Sequence, residues 1–179
     1  MVKKIVLGVL LTILVIVIVL GVVVAIQPAD FKIERKITIA APPEAVFPHV
    51  NDFHKWQAWS PWEKLDPTMK RTFEGAEAGT GAIYGWKGDE VGVGKMTILE
   101  SKPNEHIKIK LEFLEPWQAT NTTDFAFKPN EKGTEVTWSM SGTNNFMFKA
   151  VHLFMNMEKM VGADFEKGLA SMKEVAEKK

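Results

Sequence analysis

The sequence predicts an α+β domain preceded by one transmembrane helix, and three observations lead there. Residues Ile5–Ile26 run for 22 positions without a charge. All 18 aromatic residues lie beyond that run, so the rest of the chain must build an aromatic core of its own. Past residue 30, apolar residues recur mostly every second position up to Gly142. A stripe spaced by three and four then closes the chain. Strands grouped between helices differ from the alternating βαβ order of a nucleotide-binding sheet. A chain of 179 residues holds one domain of ordinary size beside such a helix.

As a helix, the apolar run is about 33 Å long, matching a hydrocarbon core of about 30 Å. Its many valines and isoleucines favour strands in water. In lipid, however, backbone polar groups must be satisfied within the segment, and a helix results. A secretory h-region spans only about 7–15 residues. Val23-Val24-Ala25 is a tolerable cleavage pattern, so removal is the rival reading. Gly8 and Gly21 stand too far apart for a Gly-xxx-Gly seam. The expected division is a transmembrane anchor over 1–27 and a ligand-binding domain over 28–179. Lys3 and Lys4 precede the span, while Lys32, Arg35 and Lys36 follow it. A very short basic tail before a first span tends to stay in the cytoplasm, which would place the domain outside it.

Gln27-Pro28-Ala29-Asp30 breaks the helix. Ile33, Ile37 and Ile39 then share one strand face, with Lys32, Glu34, Lys36 and Thr38 on the other. Pro42-Pro43-Glu44 opens a short helix with proline in its first turn and an acid near the positive end of the dipole. A second helical stretch runs from Asp52 to about Trp59. Strand patterns follow at Met69 and Phe73, at Tyr84 and Trp86, and at Ile107, Ile109, Leu111 and Phe113. Phe125 and Phe127, then Val136, Trp138 and Met140, complete them. Between Gly94 and Ser101 the inward face is ambiguous, since Met96 and Ile98 compete with Leu99. From Asn145 to Lys178, the stripe Phe154, Met157, Val161, Phe165, Leu169, Met172 and Val175 predicts one long amphipathic helix.

Several chemistries drop out. Equal numbers of basic and acidic residues give no polybasic surface for nucleic acid. Without cysteine there is no disulfide, thiolate nucleophile or Cys-ligated metal. His49, His54, His106 and His152 form no metal-binding frame, and neither a metal nor a cofactor is expected. The glycines between Gly75 and Gly94 match no phosphate loop and are read as hairpin turns. No serine occupies a nucleophile elbow. Tyr84 and Asp124 stand isolated in the strand map.

Trp56-Gln57-Ala58-Trp59-Ser60-Pro61-Trp62 packs three indoles into seven residues. Such a cluster serves either as a plug closing one end of the core or as a wall facing a ligand. The methionines of the last helix read as core, although flexible thioethers also suit irregular apolar ligands.

Two stretches resemble the start of SRPBCC proteins, the START-like, helix-grip superfamily of polyketide cyclase/dehydrase and lipid-transport type. They are Ala41-Pro-Pro-Glu-Ala-Val-Phe47 and Asn51-Asp-Phe-His-Lys-Trp56-Gln-Ala-Trp59-Ser-Pro-Trp62. Gly133-Thr-Glu-Val-Thr-Trp138-Ser-Met-Ser-Gly142 resembles their penultimate strand. The run from Met160 to Lys173 resembles the terminal helix of the membrane-anchored branch. The resemblance covers about residues 31–178. It implies a seven-stranded antiparallel sheet curved around the long C-terminal helix, with an apolar cavity between them. It carries over no catalytic residue.

The leading expectation is therefore an anchored domain that binds a hydrophobic small molecule or lipid. Its proposed wall is Trp86, Phe125, Trp138, Met140, Met157, Val161 and Phe165, with Tyr84 as a polar handle. The alternatives are a protein-interaction or stress-related scaffold with a filled core and an enzyme of polyketide cyclase/dehydrase type. Catalytic residues stay unassigned, because no acid–base pair declares itself. A cavity of about 300 Å³ or more would favour binding, and close packing the scaffold. Phe165 is expected to face the sheet across the cavity. Its truncation would cost about 1–2 kcal/mol beside a void, against about 3–5 in close-packed core.

Overall fold

The computed structural model describes residues 2–66 and 68–178. Contacts divide the chain into two compact units. One holds the N-terminal stretch through Phe31 together with Thr143–Met157; the other holds Lys32–Gly142 and the chain from Glu158 onward.

In the first unit, helix α1 (Val2–Ile26) covers the whole apolar run. Nearly all its side chains are exposed, and Val24 alone among its described residues is buried. It is long and apolar enough to cross a membrane by length and composition. The unit also contains helix α4 (Phe146–His152), capped by Asn145, whose side chain accepts from the Phe148 amide at 2.9 Å.

The second unit is built on strands β1 (Asp30–Ile39), β2 (Lys70–Gly75), β3 (Ala82–Gly88), β4 (Gly92–Lys102), β5 (His106–Glu115), β6 (Ala119–Asn130) and β7 (Gly133–Thr143). They form one curved antiparallel sheet in the order β1-β7-β6-β5-β4-β3-β2. Helices α2 (Pro43–Val46) and α3 (Pro48–Asn51) follow β1. Two 3-10 helices, Phe53–Ala58 and Pro61–Lys64, lead into β2. Asp52 caps the first of these, accepting from the His54 amide at 2.9 Å. The long helix α5 (Met157–Glu177) turns Phe165, Leu169 and Met172 inward, completing the helix-grip architecture.

The ambiguous strand β4 is settled by a bulge. Its register against β5 shifts between Ile98 and Glu100, so Met96 and Ile98 point inward while Leu99 is left exposed. Most glycines of the Gly75–Gly94 region do serve turns, and Gly75, Gly79, Gly81 and Gly92 have positive φ. Gly94 is different. It lies within β4 opposite Trp86, whose ring occupies the space a Cβ would need.

The expected single C-terminal helix is two helices, α4 and α5, separated at Leu153–Asn156. Asn145 and Asn156, residues of a type that favours helix starts, precede them. Phe154, counted in the inward stripe, is 81% exposed. A hydrophobic period that runs on through a break cannot reveal it, because spacing alone carries no mark of where one helix ends.

Candidate functional site

Period-two alternation puts Tyr84, Trp86, Met96, Ile98, Ile107, Ile109, Leu111, Phe113, Thr123, Phe125, Val136, Trp138 and Met140 on one face of the sheet. That face is filled toward one end and open toward the other. Ile98, Ile107, Ile109, Phe125 and Val136 are essentially inaccessible. At the open end a cavity of about 320 Å³ remains, walled by Tyr84, Trp86, Met96, Leu111, Phe113, Thr123, Trp138 and Met140 from the sheet. Val161 and Phe165 of α5 close it, together with Trp56, Ser60, Trp62, Glu63 and Leu65 from the 3-10 region.

Six of the eight residues expected on the wall are there: Tyr84, Trp86, Trp138, Met140, Val161 and Phe165. Phe125 is not. It pairs with Trp138 across β6 and β7 and stacks on it at 4.9 Å, so it supports the wall from inside the filled core. Met157 is not among the lining residues either; it opens α5 and groups with the other compact unit.

The tryptophan cluster does both jobs proposed for it. The Trp59 indole N–H donates to the His49 carbonyl at 2.8 Å, and the Trp56 N–H donates to that of Val50 at 3.0 Å. Trp59 plugs the filled core, edge-on to Phe125 and Trp138. Trp56 and Trp62 reach the cavity. Trp138 stacks nearly parallel on Phe165, centroids 4.1 Å apart, and Trp62 meets both rings edge-on. Two glycines allow this approach. A side chain at Gly168 would collide with Trp138 and Pro61, and one at Gly162 with Arg35. Arg35 is held there by Glu158 at 2.9 Å and Glu166 at 2.6 Å. Both glycines thus serve packing of α5 on the sheet.

One polar cluster faces this apolar space, and apart from Tyr84 no sequence motif marks it. Glu63, nearly buried, accepts from the Tyr84 hydroxyl at 2.6 Å and from Arg71 Nε at 2.7 Å. Arg71 also donates to the Glu63 carbonyl at 3.2 Å. Beside Lys64, in a short polar stretch, Glu63 reads as a solvated surface acid; only the 3-10 turn brings it inward. Burial, then the hydrogen bond to Glu63 and its negative charge, push the Tyr84 phenol well above its ordinary value of 10.0. The unfolded chain therefore gives up the phenolic proton first. This group's contribution to stability is complete below pH 10 and is lost as pH rises through the folded value. Since Tyr84 is the sole tyrosine, phenolate absorbance reads it alone. The folded chain is expected to show no phenolate step near pH 10, and one there would place Tyr84 in water.

Elsewhere, Asp124 pairs with His106 Nε2 at 2.9 Å on the outer face of the sheet, so it is not isolated. Among the described residues no cluster of His, Asp and Glu could hold a metal. The Trp138 indole N–H is buried without a hydrogen-bond partner among the described residues, an uncommon state for a buried donor.

The sequence pattern of the polyketide cyclase/dehydrase and lipid transport family matches residues 30–177. The chain belongs to this family. The match takes in every strand and α5, the elements that form the cavity. Solved structures of the same fold include a protein from Thermobifida fusca, 19% identical, with a TM-score of 0.62 over 81% of this chain and 92% of that one. The Aha1 dimer from Colwellia psychrerythraea is 15% identical, with a TM-score of 0.60 over 82% and 96%. The di-domain ARO/CYC StfQ of the steffimycin biosynthetic pathway is 13% identical, with a TM-score of 0.59 over 83% of this chain and 51% of that one. No curated protein sequence matches the chain. At such identities the structural likeness establishes the fold of this family member and nothing of its ligand.

Proposed function

We propose that this family member is a single-pass membrane protein whose domain binds a hydrophobic small molecule or lipid in the cavity between sheet and α5. The observation that carries the reading is the 320 Å³ space itself, within the range of small-molecule sites and walled by aromatic and thioether side chains. The ligand is apolar over most of its surface and polar at one place. Glu63 and Tyr84 would receive that polar group. Anchorage through residues 5–26, with the domain on the extracytoplasmic side, would keep the site beside a bilayer in which such ligands concentrate. A filled scaffold is disfavoured by the open end of the core. An enzymatic reading draws on the buried Glu63–Tyr84 pair, since a carboxylate beside a phenol is a proton-transfer couple. Binding needs less of the site and is preferred.

The test fills the cavity. Val161 lines it from α5 and is only partly buried, so Val161→Trp can project an indole into the space. With the full chain in detergent, anilinonaphthalene sulfonate is expected to bind and take energy from Trp86 and Trp138. The variant should weaken that binding by about tenfold or more, the loss of roughly 1.4 kcal/mol, while its melting temperature stays within a few degrees. Unchanged probe affinity in a folded Val161→Trp protein would remove the cavity as the binding site.

A further inference from the structure

We propose that α4 and the turn after it lie in the headgroup layer of the bilayer that α1 crosses, as a second, monotopic membrane contact. The inference rests on the reading of α1 as a span.

The amphipathic character of α4 is turned inside out. Its polar side chains face the chain. Lys149 Nζ donates to the Ala25 carbonyl at 3.0 Å, placing a cation at the negative end of the α1 dipole. His152 lies edge-on to Phe31, with Asn144 Nδ2 at 3.3 Å from its Nδ1. The outward side carries Phe146, Met147, Val151 and Phe154, spaced by helical turns, and Met155 beside them; all five are exposed. The turn keeps this direction, because the Phe154 and Met155 amides both bond to the Val151 carbonyl at 3.0 Å.

Position decides what covers this face. The Asn144 amide donates to the Ala29 carbonyl at 2.8 Å, and Thr143 Oγ1 donates to Asp30 at 2.8 Å. With Lys149 on Ala25, these bonds fix α4 within one turn of the end of the apolar run. That run is about as long as a hydrocarbon core is thick, so its end marks the headgroup boundary. A short helix there, apolar side outward, matches interfacial helices that bury their apolar face about 5–10 Å deep. A protein partner fits less well, since five residues fall far short of the roughly 20–30 per side of a stable interface.

The chain has no cysteine, so single labelling sites can be introduced cleanly. Phe154→Cys, Ile16→Cys and Glu131→Cys, each carrying an environment-sensitive fluorophore, are to be reconstituted as full chains. The vesicles are phosphatidylcholine with a minor fraction of phosphatidylglycerol, with and without brominated acyl chains. Phe154 and Glu131 are both exposed, so neither change should disturb packing. The Ile16 label is expected to be quenched strongly by bromolipid and the Glu131 label hardly at all. The Phe154 label should be quenched at least about twofold more than that at Glu131, as its interfacial depth requires. Quenching at Ile16 with none at Phe154 would overturn the α4 contact and leave the span standing. A Phe154 label shielded from both bromolipid and aqueous iodide would mean a protein partner and would equally overturn it. No quenching at Ile16 would remove the span, and the α4 contact with it.

Discussion

Replacing Glu63 by alanine is expected to destabilise the fold by about 3 kcal/mol, because it strands two partners at once. The carboxylate is 6% exposed and Arg71 is 22% exposed, so the guanidinium loses its counter-charge where water only partly replaces it. The Tyr84 hydroxyl loses its acceptor in a buried position. Residual access to Arg71 keeps the loss at the lower end for a broken buried pair. At about 2–4 °C per kcal/mol for a domain of this size, the melting temperature should fall by about 6–12 °C. Glu63→Gln, which keeps the shape and an acceptor oxygen, should lose less than half as much. Near-UV dichroism of the full chain in detergent follows the packed indoles directly. An unchanged midpoint for Glu63→Ala would mean that water already solvates the cluster.

Phe165→Ala is expected to cost about 2–3 kcal/mol, between the values for an empty site and a close-packed one. One face of the ring stacks on Trp138 with centroids 4.1 Å apart, and Trp62 meets it edge-on. It also borders an existing void, so the new space joins a cavity instead of opening a fresh one. The structure thus moves the expectation above the roughly 1–2 kcal/mol of a pure pocket lining, because it reveals the parallel stack on Trp138. A loss beyond about 4 kcal/mol would mean a ring fully enclosed by core. The variant should also weaken anilinonaphthalene sulfonate binding, since the ring is part of the wall.

Much of the fold was legible because it follows from periodicity. Strand alternation needs only the sequence. Inward residues on neighbouring strands then form a common face, and Tyr84, Trp86, Trp138 and Met140 share a cavity for that reason, while the three-and-four spacing of α5 brings Val161 and Phe165 to it. Phe125 was expected there because alternation gives the face of a residue and not its depth along the sheet. Its rank among inward residues depends on register, and the register sets Phe125 against Ile107 and Trp138 in the filled half. Glu63 escaped notice for the opposite reason. Its burial is imposed by Arg71 and Tyr84, eight and 21 residues away.

The sequence by itself determined the apolar segment, the α+β order, the aromatic character of the core and the absence of cysteine chemistry. These depend on composition and on spacings within single elements, where each residue's direction follows from its neighbours along the chain. Tertiary structure alone decided why Gly94, Gly162 and Gly168 must lack side chains and which acid faces the cavity. Each depends on an atom that arrives from a distant part of the chain: the Trp86 ring, the Arg35 guanidinium, the Trp138 indole, the Tyr84 hydroxyl. A local pattern cannot encode a contact whose second partner it does not contain.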